Sequence, residues 1–315
     1  MNVSGTNTVE FAEISKDRAG QRLDNFLLCY LRGAPRSLIY RILRKGEVRV
    51  NKGRAKPSYK LQLGDIVRIP PVKRIEAVAI KPADLQAVSY RLQEAILLEN
   101  DDFIAVNKPS GLAVHGGSGL RYGLIEILKS QATYAELELV HRLDRQTSGC
   151  LLLARSRSCL GRLHALLRDR QIEKHYLALL QGELRKPMTI DTELVRLQRG
   201  NERIVSVADT SHERSKSALT HIKPLHVYSG TTLVDVQIDT GRTHQIRVHC
   251  ASVHHPLAGD EKYGSREFNK TMRGLGLKRL FLHAASLQFK MDGVHKIEAP
   301  LPDGLVSVLD KLDEK

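Results

Sequence analysis

From residue 96 onward the chain is built of short apolar runs, and their order decides what it can fold into. "AILLEN", "FIAVNK", "ELVHRLD", "CLLLAR", "HYLALLQG", "TTLVDVQID", "HQIRVHC" and "LQFK" are each of strand length, and long helices between them are few. Parallel strands need a helical crossover for every pair. This spacing therefore predicts a mixed, mainly antiparallel sheet flanked by helices, an α+β fold rather than a doubly wound one. Ile96–Leu98 and Phe103–Val106 are expected as strands around the turn "ENDD", with a second turn at "NKPSG", where Pro and Gly fit. The clearest helix is Ser156–Arg170, with Leu160, Leu163 and Leu167 on one face and Ser156 as its cap.

The N-terminal third reads differently. Between Gly20 and Pro70 there are twelve Lys or Arg against three acids, so nine of the chain's net +14 charges fall in this short stretch. Leu23, Phe26, Leu27 and Tyr30 have helical spacing, and Leu38, Ile39 and Ile42 repeat it before Gly46 ends the run. Val48 and Val50 then alternate with polar residues ahead of a turn at Asn51–Gly53, and "LQLGDIVRI" reads as a turn and a closing strand. A basic helix carrying Arg36, Arg41, Arg44 and Lys45 beside a basic hairpin carrying Arg49 and Lys52 makes a candidate phosphate-binding face. A merely solvated surface is the competing explanation, and the one-sided charge favours the first. The expected organisation is an N-terminal extension (1–19), this basic module (20–70), a proline-bearing linker (71–89) and a large domain (90–315).

No run reaches the roughly 18 apolar residues of a membrane span, and the polar N-terminus lacks the charged and apolar regions of a signal peptide, so a cytoplasmic protein is expected. Cys29, Cys150, Cys159 and Cys250 are scattered, which indicates neither a disulfide framework nor a zinc site. His244, His249, His254 and His255 crowd together without a spacing that has a metal-binding reason, so no metal is expected. "HGGSG" (115–119) lacks the lysine and spacing of a P-loop and reads as a turn.

Three segments concentrate polar groups that a strand-rich core has no use for: "HRLDRQTSG" (141–149), "KHYLAL" (174–179) and "GRTHQIRVH" (241–249). Asp144 by itself fits a turn aspartate, and alternatively a carboxylate held ionised by a nearby cation as nucleophile or base. Strand alternation puts Tyr176, Ala178 and Leu180 on one side, where Tyr176 is a core residue or one whose hydroxyl reaches a site. In the third segment Ile246 and Val248 alternate as in a strand, and Arg247 among core-facing neighbours needs a carboxylate, for which Asp144 is the candidate.

Together with "NKPSGLAVHGG", "HPLAGDEKYG" and "RLFLHAASLQF", in this order, the three segments resemble the pseudouridine synthases that act on large-subunit ribosomal RNA, over essentially Leu97–Pro302. The module at 20–70 resembles the S4-type RNA-binding domain, with "NKG" where that family often has "VNG". The resemblance implies an isomerase of 23S ribosomal RNA that needs no cofactor; a monomer is expected, though no sequence feature sets the oligomeric state. Asp144 is implied as the catalytic aspartate, by attack at C1′ or through a glycal; Tyr176 takes the proton from C5, and Arg247 pairs with Asp144. Arg142 is implied to enter the RNA stack where the target base has left, with Arg242 and His244 as further RNA contacts.

Overall fold

Contacts divide the chain into two units, Met1–Gln86 and Ala87–Lys315. The computed structural model describes residues 8–31, 34, 36–72, 92–116, 122–199, 202–208 and 215–314. The linker expected at 71–89 lies outside the described residues beyond Val72, as do the last three residues of "HGGSG".

In the smaller unit the expected order of elements is found. Helices α1 (Leu23–Tyr30) and α2 (Arg36–Lys45) pack on a three-stranded antiparallel sheet of β1 (Glu10–Glu13), β3 (Ile66–Ile69) and β2 (Arg49–Val50), in that order. The periodic residues Leu23, Phe26, Leu27, Ile39 and Ile42 form its core with Val48, Val50, Val67 and Ile69. Asn51 and Lys52 both have positive φ, and Val50 and Gly53 exchange two backbone hydrogen bonds, the tight two-residue turn that suits a twisted hairpin.

Two of this unit's acids are turned inward. Asp24 accepts from Arg22 (2.6 and 3.0 Å), Tyr40 (3.0 Å) and the Asn25 N–H (2.9 Å), joining α1 to α2. Asp65 accepts from Asn51 Nδ2 (2.8 Å), the Tyr59 hydroxyl (3.2 Å) and the Gln62 N–H (2.8 Å). Arg41, Arg44, Lys45, Arg49 and Lys52 stay exposed, so the surface is more basic than the composition suggests. Arg36 opens α2, and its side chain lies outside the described residues.

The larger unit is built on a ten-stranded sheet. Its path is β4 (Ile96–Glu99), β5 (Phe103–Lys108), β7 (Ser148–Ala154), β14 (Leu282–Lys290), β8 (Glu173–Gln181), β13 (Thr231–Ile238), β12 (Leu219–Tyr228) and β9 (Met188–Asp191). β6 (Glu138–Leu139) pairs with β7, and β15 (Val294–Glu298) with β14. Only β7 and β14 run parallel among these pairs, so the sheet is mixed and mainly antiparallel, as the run spacing predicts. At that pairing Gly149 has φ +108°, and a Cβ there would stand 2.1 Å from the Ala284 carbonyl oxygen. Only glycine admits so close an approach.

A short helix, α3 (Leu124–Lys129), precedes β6, and a separate hairpin joins β10 (Leu194–Arg199) to β11 (Glu202–Val207). Helix α4 (Arg157–Arg168) is capped by Ser156, whose hydroxyl accepts from the Cys159 N–H, and buries Cys159 and Leu163 against Phe103, Leu152 and Phe289. Helices α6 (Arg266–Gly274) and α7 (Asp303–Asp313) bury Phe268, Met272, Leu305 and Val308 with Leu179 and Phe281. Helix α5 (Gln245–Ser252) corrects the expected strand alternation at 241–249. Every residue from Gln245 to Cys250 is buried, so an apolar-polar alternation carries no facing information there. The helix start is fixed by the Gln245 side chain, which accepts from Thr240 (2.7 Å) and the Arg242 N–H (3.1 Å) and donates to the Leu219 carbonyl (2.9 Å). No helix among the described residues is long and apolar enough to cross a membrane.

Candidate active site

Asp144 sits in the loop that leads from β6 into β7, and its backbone is held from below. Lys108, at the end of β5 and fully buried, donates to the carbonyls of Pro109 (2.9 Å), Leu112 (2.8 Å) and Arg145 (3.3 Å), using all three of its donors. Arg145 turns away from Asp144 and donates to the Gly111 carbonyl (2.9 Å), while the Ser110 hydroxyl holds the Gln146 carbonyl (2.7 Å). His141 accepts from the Leu152 N–H (3.0 Å), and burial pushes its imidazole down to about 4, which keeps it a neutral acceptor. At the loop's exit Arg279 donates to Ser148 Oγ (2.7 Å), which meets His283 Nδ1 (2.8 Å). His283 Nε2 faces the Ala299 carbonyl (3.1 Å) and so carries the proton, leaving Nδ1 to accept from Ser148.

Three separate segments converge on an open cleft whose walls include Arg142, Asp144, Tyr176, Arg242, His244 and Arg247. Arg142 and Arg242 are exposed at it, and Arg242 is partly committed through a bond to the Ser217 carbonyl (3.1 Å). Tyr176, from the middle of β8, is 7% exposed, and burial followed by the Asp144 charge pushes its hydroxyl well above its ordinary value.

The Asp144 side chain is 19% exposed and receives no hydrogen bond among the described residues. Two groups face one of its oxygens from α5 and the residue before it, Arg247 Nη1 at 3.7 Å and His244 Nε2 at 3.8 Å. The main partner of Arg247 is instead Asp260, through two parallel bonds from Nε (2.7 Å) and Nη2 (2.8 Å), with both side chains nearly buried at 9% and 1% exposure. Burial disfavours the Asp260 charge, but the Arg247 bonds and charge and the N–H groups of Tyr263 and Lys262 outweigh it, and the carboxyl lies below its ordinary range. The Tyr263 ring lies 5.0 Å from the guanidinium, within cation–π range.

Tyr263 also orients His244. Its hydroxyl accepts from the Val205 N–H (3.2 Å) and lies 2.8 Å from His244 Nδ1. With its oxygen accepting from Val205, the hydroxyl donates its proton to Nδ1, and the imidazole then turns an Nε2–H toward Asp144. Burial lowers the imidazole's proton affinity, which favours this neutral form. His244 itself has φ 56°, a left-handed conformation rarely taken by a side-chain-bearing residue and one that collects at functional sites.

Other sequence candidates have structural partners. His249 bonds Thr220 (2.9 Å) and His255 the Gln181 carbonyl (2.8 Å), and no group of His, Cys, Asp and Glu among the described residues could hold a metal ion. Burial pushes the thiols of Cys150 and Cys250 up to about 12 and that of Cys159 up to about 11, as for inert core cysteines. The reading of single residues missed Lys108, Asp260, Tyr263 and Arg279. Lys108 stands in "NKPSG", which reads as a turn, and Asp260 and Tyr263 in "GDEKYG"; a lysine entering an apolar strand run was the one usable signal.

This site belongs to a known class. RNA pseudouridylate synthase is the family that matches residues 102–252, and the S4 domain matches residues 21–67. The chain belongs to the RNA pseudouridylate synthase family. It is 50% identical over 318 residues to ribosomal large subunit pseudouridine synthase C of Escherichia coli (strain K12), covering 98% of each chain. The protein of the same name from Haemophilus influenzae is 49% identical, over 98% of this chain and 96% of its own. Among solved structures, human RNA pseudouridylate synthase domain containing 4 superposes with a TM-score of 0.62 at 25% identity, over 73% of this chain and 97% of its own.

Proposed function

We propose that this chain isomerises uridines of 23S ribosomal RNA to pseudouridine in the cytoplasm, with Asp144 as the catalytic carboxylate. The observation that carries the reading is a carboxylate with no side-chain hydrogen bond among the described residues, set in a cleft that a buried tyrosine and a buried arginine also line. The likeness to the large-subunit synthases supports ribosomal RNA as the substrate, and the exposed cations of the S4 domain support its binding.

The reaction breaks C1′–N1 and joins C1′ to C5. A proton leaves C5 and one is delivered to N1, so atoms balance without a redox partner or water. The reacting bonds lie inside the base stack, so the uridine has to flip out, at a cost of a few kcal/mol. Arg142, exposed two residues before Asp144, has the planar cation that fills the gap. Asp144 starts the cleavage, as a nucleophile at C1′ or as a base on the ribose. Tyr176 keeps its hydroxyl proton over the working pH range, so it takes the C5 proton only as it passes its own to the Asp144 carboxylate that C1′–C5 bond formation has freed, a relay rather than a free phenolate.

The test is pseudouridine mapping on 23S RNA from cells lacking the gene, treated with purified protein. Wild type restores specific sites; Asp144→Asn restores none and binds the RNA with unchanged affinity. Modification by the Asn variant would remove Asp144 from its role, and no modification by wild type would remove the function.

A further inference from the structure

A second cleft adjoins the catalytic one: Arg247 lines both, and Gln146, two residues beyond Asp144, lines the second. Its floor includes the buried Leu277 and Leu280, and its walls carry Arg247, Lys262, Arg273, Lys278 and Arg279 against only Asp260 and Glu261. Arg247 and Asp260 neutralise each other. Arg279 is tied to Ser148 and to the carbonyls of Leu280 and Leu282. Arg273, in the last turn of α6, and Lys278, in the loop that follows, are both exposed and have no acidic partner among the described residues. A cleft with such an excess of cations, open beside the reacting carboxylate, is made for a chain of negative charges.

We propose that this second cleft holds the sugar–phosphate backbone of the RNA strand adjoining the target uridine, with Lys262, Arg273 and Lys278 as the phosphate contacts. The proposal rests on the pseudouridine synthase reading. A strand with one nucleotide flipped into the first cleft leaves helical geometry next to it, and its neighbouring phosphates need cations on the protein surface. Among the described residues no aromatic side chain lines the second cleft, so bases find no ring to stack on there. The contact is to backbone rather than to base edges and is independent of sequence.

The test measures binding of a 23S fragment containing a modified uridine, over roughly 50 to 300 mM salt, for wild type and for Lys262→Ala/Arg273→Ala/Lys278→Ala. Three lost contacts to a single strand flatten the slope of log affinity against log salt by about 2. A control triple, Arg185→Ala/Lys186→Ala/Lys290→Ala, removes three exposed cations that line neither cleft and leaves the slope alone. A slope unchanged in the first triple, or reduced equally in the control, overturns the proposal. Pseudouridine formation by wild type on the same fragment separates the failures: its absence sinks the function itself, and its presence with an unchanged slope sinks only the second cleft.

Discussion

Replacing Asp260 by Asn tests whether Arg247 is held by Asp260 rather than by Asp144. The change keeps the shape but removes the charge, and it puts an amide N–H where the carboxylate accepts from Arg247 Nε or Nη2 at 2.7 and 2.8 Å. Arg247 is 9% exposed, so its charge is stranded. Breaking one partner of a buried pair costs about 3–5 kcal/mol. For a unit the size of Ala87–Lys315, at roughly 2 °C per kcal/mol, the melting temperature falls by about 6–10 °C. The nearest remaining carboxylate is Asp144, whose oxygen is 3.7 Å from Nη1. The guanidinium closes on it, and misplacement of about 1 Å lowers turnover on the order of 100-fold.

Thermal unfolding and single-turnover pseudouridine formation, measured well below both melting points, read the two effects separately. The double variant Asp260→Leu/Arg247→Met replaces the pair by apolar groups and recovers most of the stability, but not the activity. The pH dependence has a definite sign. The folded Asp260 carboxyl lies below its ordinary 3.8, so its contribution is present above that value and is lost as pH falls through the folded value. The gap between wild type and Asp260→Asn therefore narrows below pH 4. A melting temperature within about 2 °C of wild type, with normal turnover, would refute the reasoning.

Two other perturbations probe what holds the loops and where RNA lands. Burial, then the Arg279 charge, lower Lys108 to about 7, against an opposing pull from Asp144. The unfolded chain thus binds more protons between pH 7 and 10, and folding stability rises there by up to about 1.4 kcal/mol per pH unit. Chemical denaturation of wild type and Lys108→Met across that range should show this slope only in wild type, and parallel curves would contradict it. In the S4 domain, Arg41→Ala/Arg44→Ala/Lys45→Ala should flatten the salt dependence of RNA binding by about 2 in log–log slope. The same slope as wild type would move the contact face elsewhere.

The elements most legible in the sequence are those whose burial is one-sided. Leu23, Phe26 and Leu27 lie on one face of α1 because its other face meets water, and Ser156 with Leu163 marks α4 for the same reason. Helix α5 was not legible: Gln245–Cys250 is buried on every side, and "QIRVHC" satisfies a period of 2 as readily as one of 3.6. The parallel join of β7 to β14 was equally hidden, because it pairs Ser148 with His283 across a separation that no local pattern records. The expected roles of Asp144, Tyr176 and Arg247 rest on the joint resemblance of three segments. What that could not supply was the division of labour between two carboxylates.

That division explains how the Asp144 oxygens stay free of hydrogen bonds among the described residues. A buried arginine needs a carboxylate, and if Asp144 supplied it through short bonds its oxygens would be occupied and poorly available for attack. Asp260 takes the Nε and Nη2 donors, and its remaining acceptor capacity goes to the N–H groups of Lys262 and Tyr263. Arg247 is left to offer Nη1 to Asp144 at 3.7 Å, close enough to favour the carboxylate's charge and too far for a hydrogen bond. His244, locked by Tyr263, approaches the same oxygen at 3.8 Å. Among the described residues Asp144 thus faces two donors with none bonded to it, which leaves its oxygens open for the role proposed above.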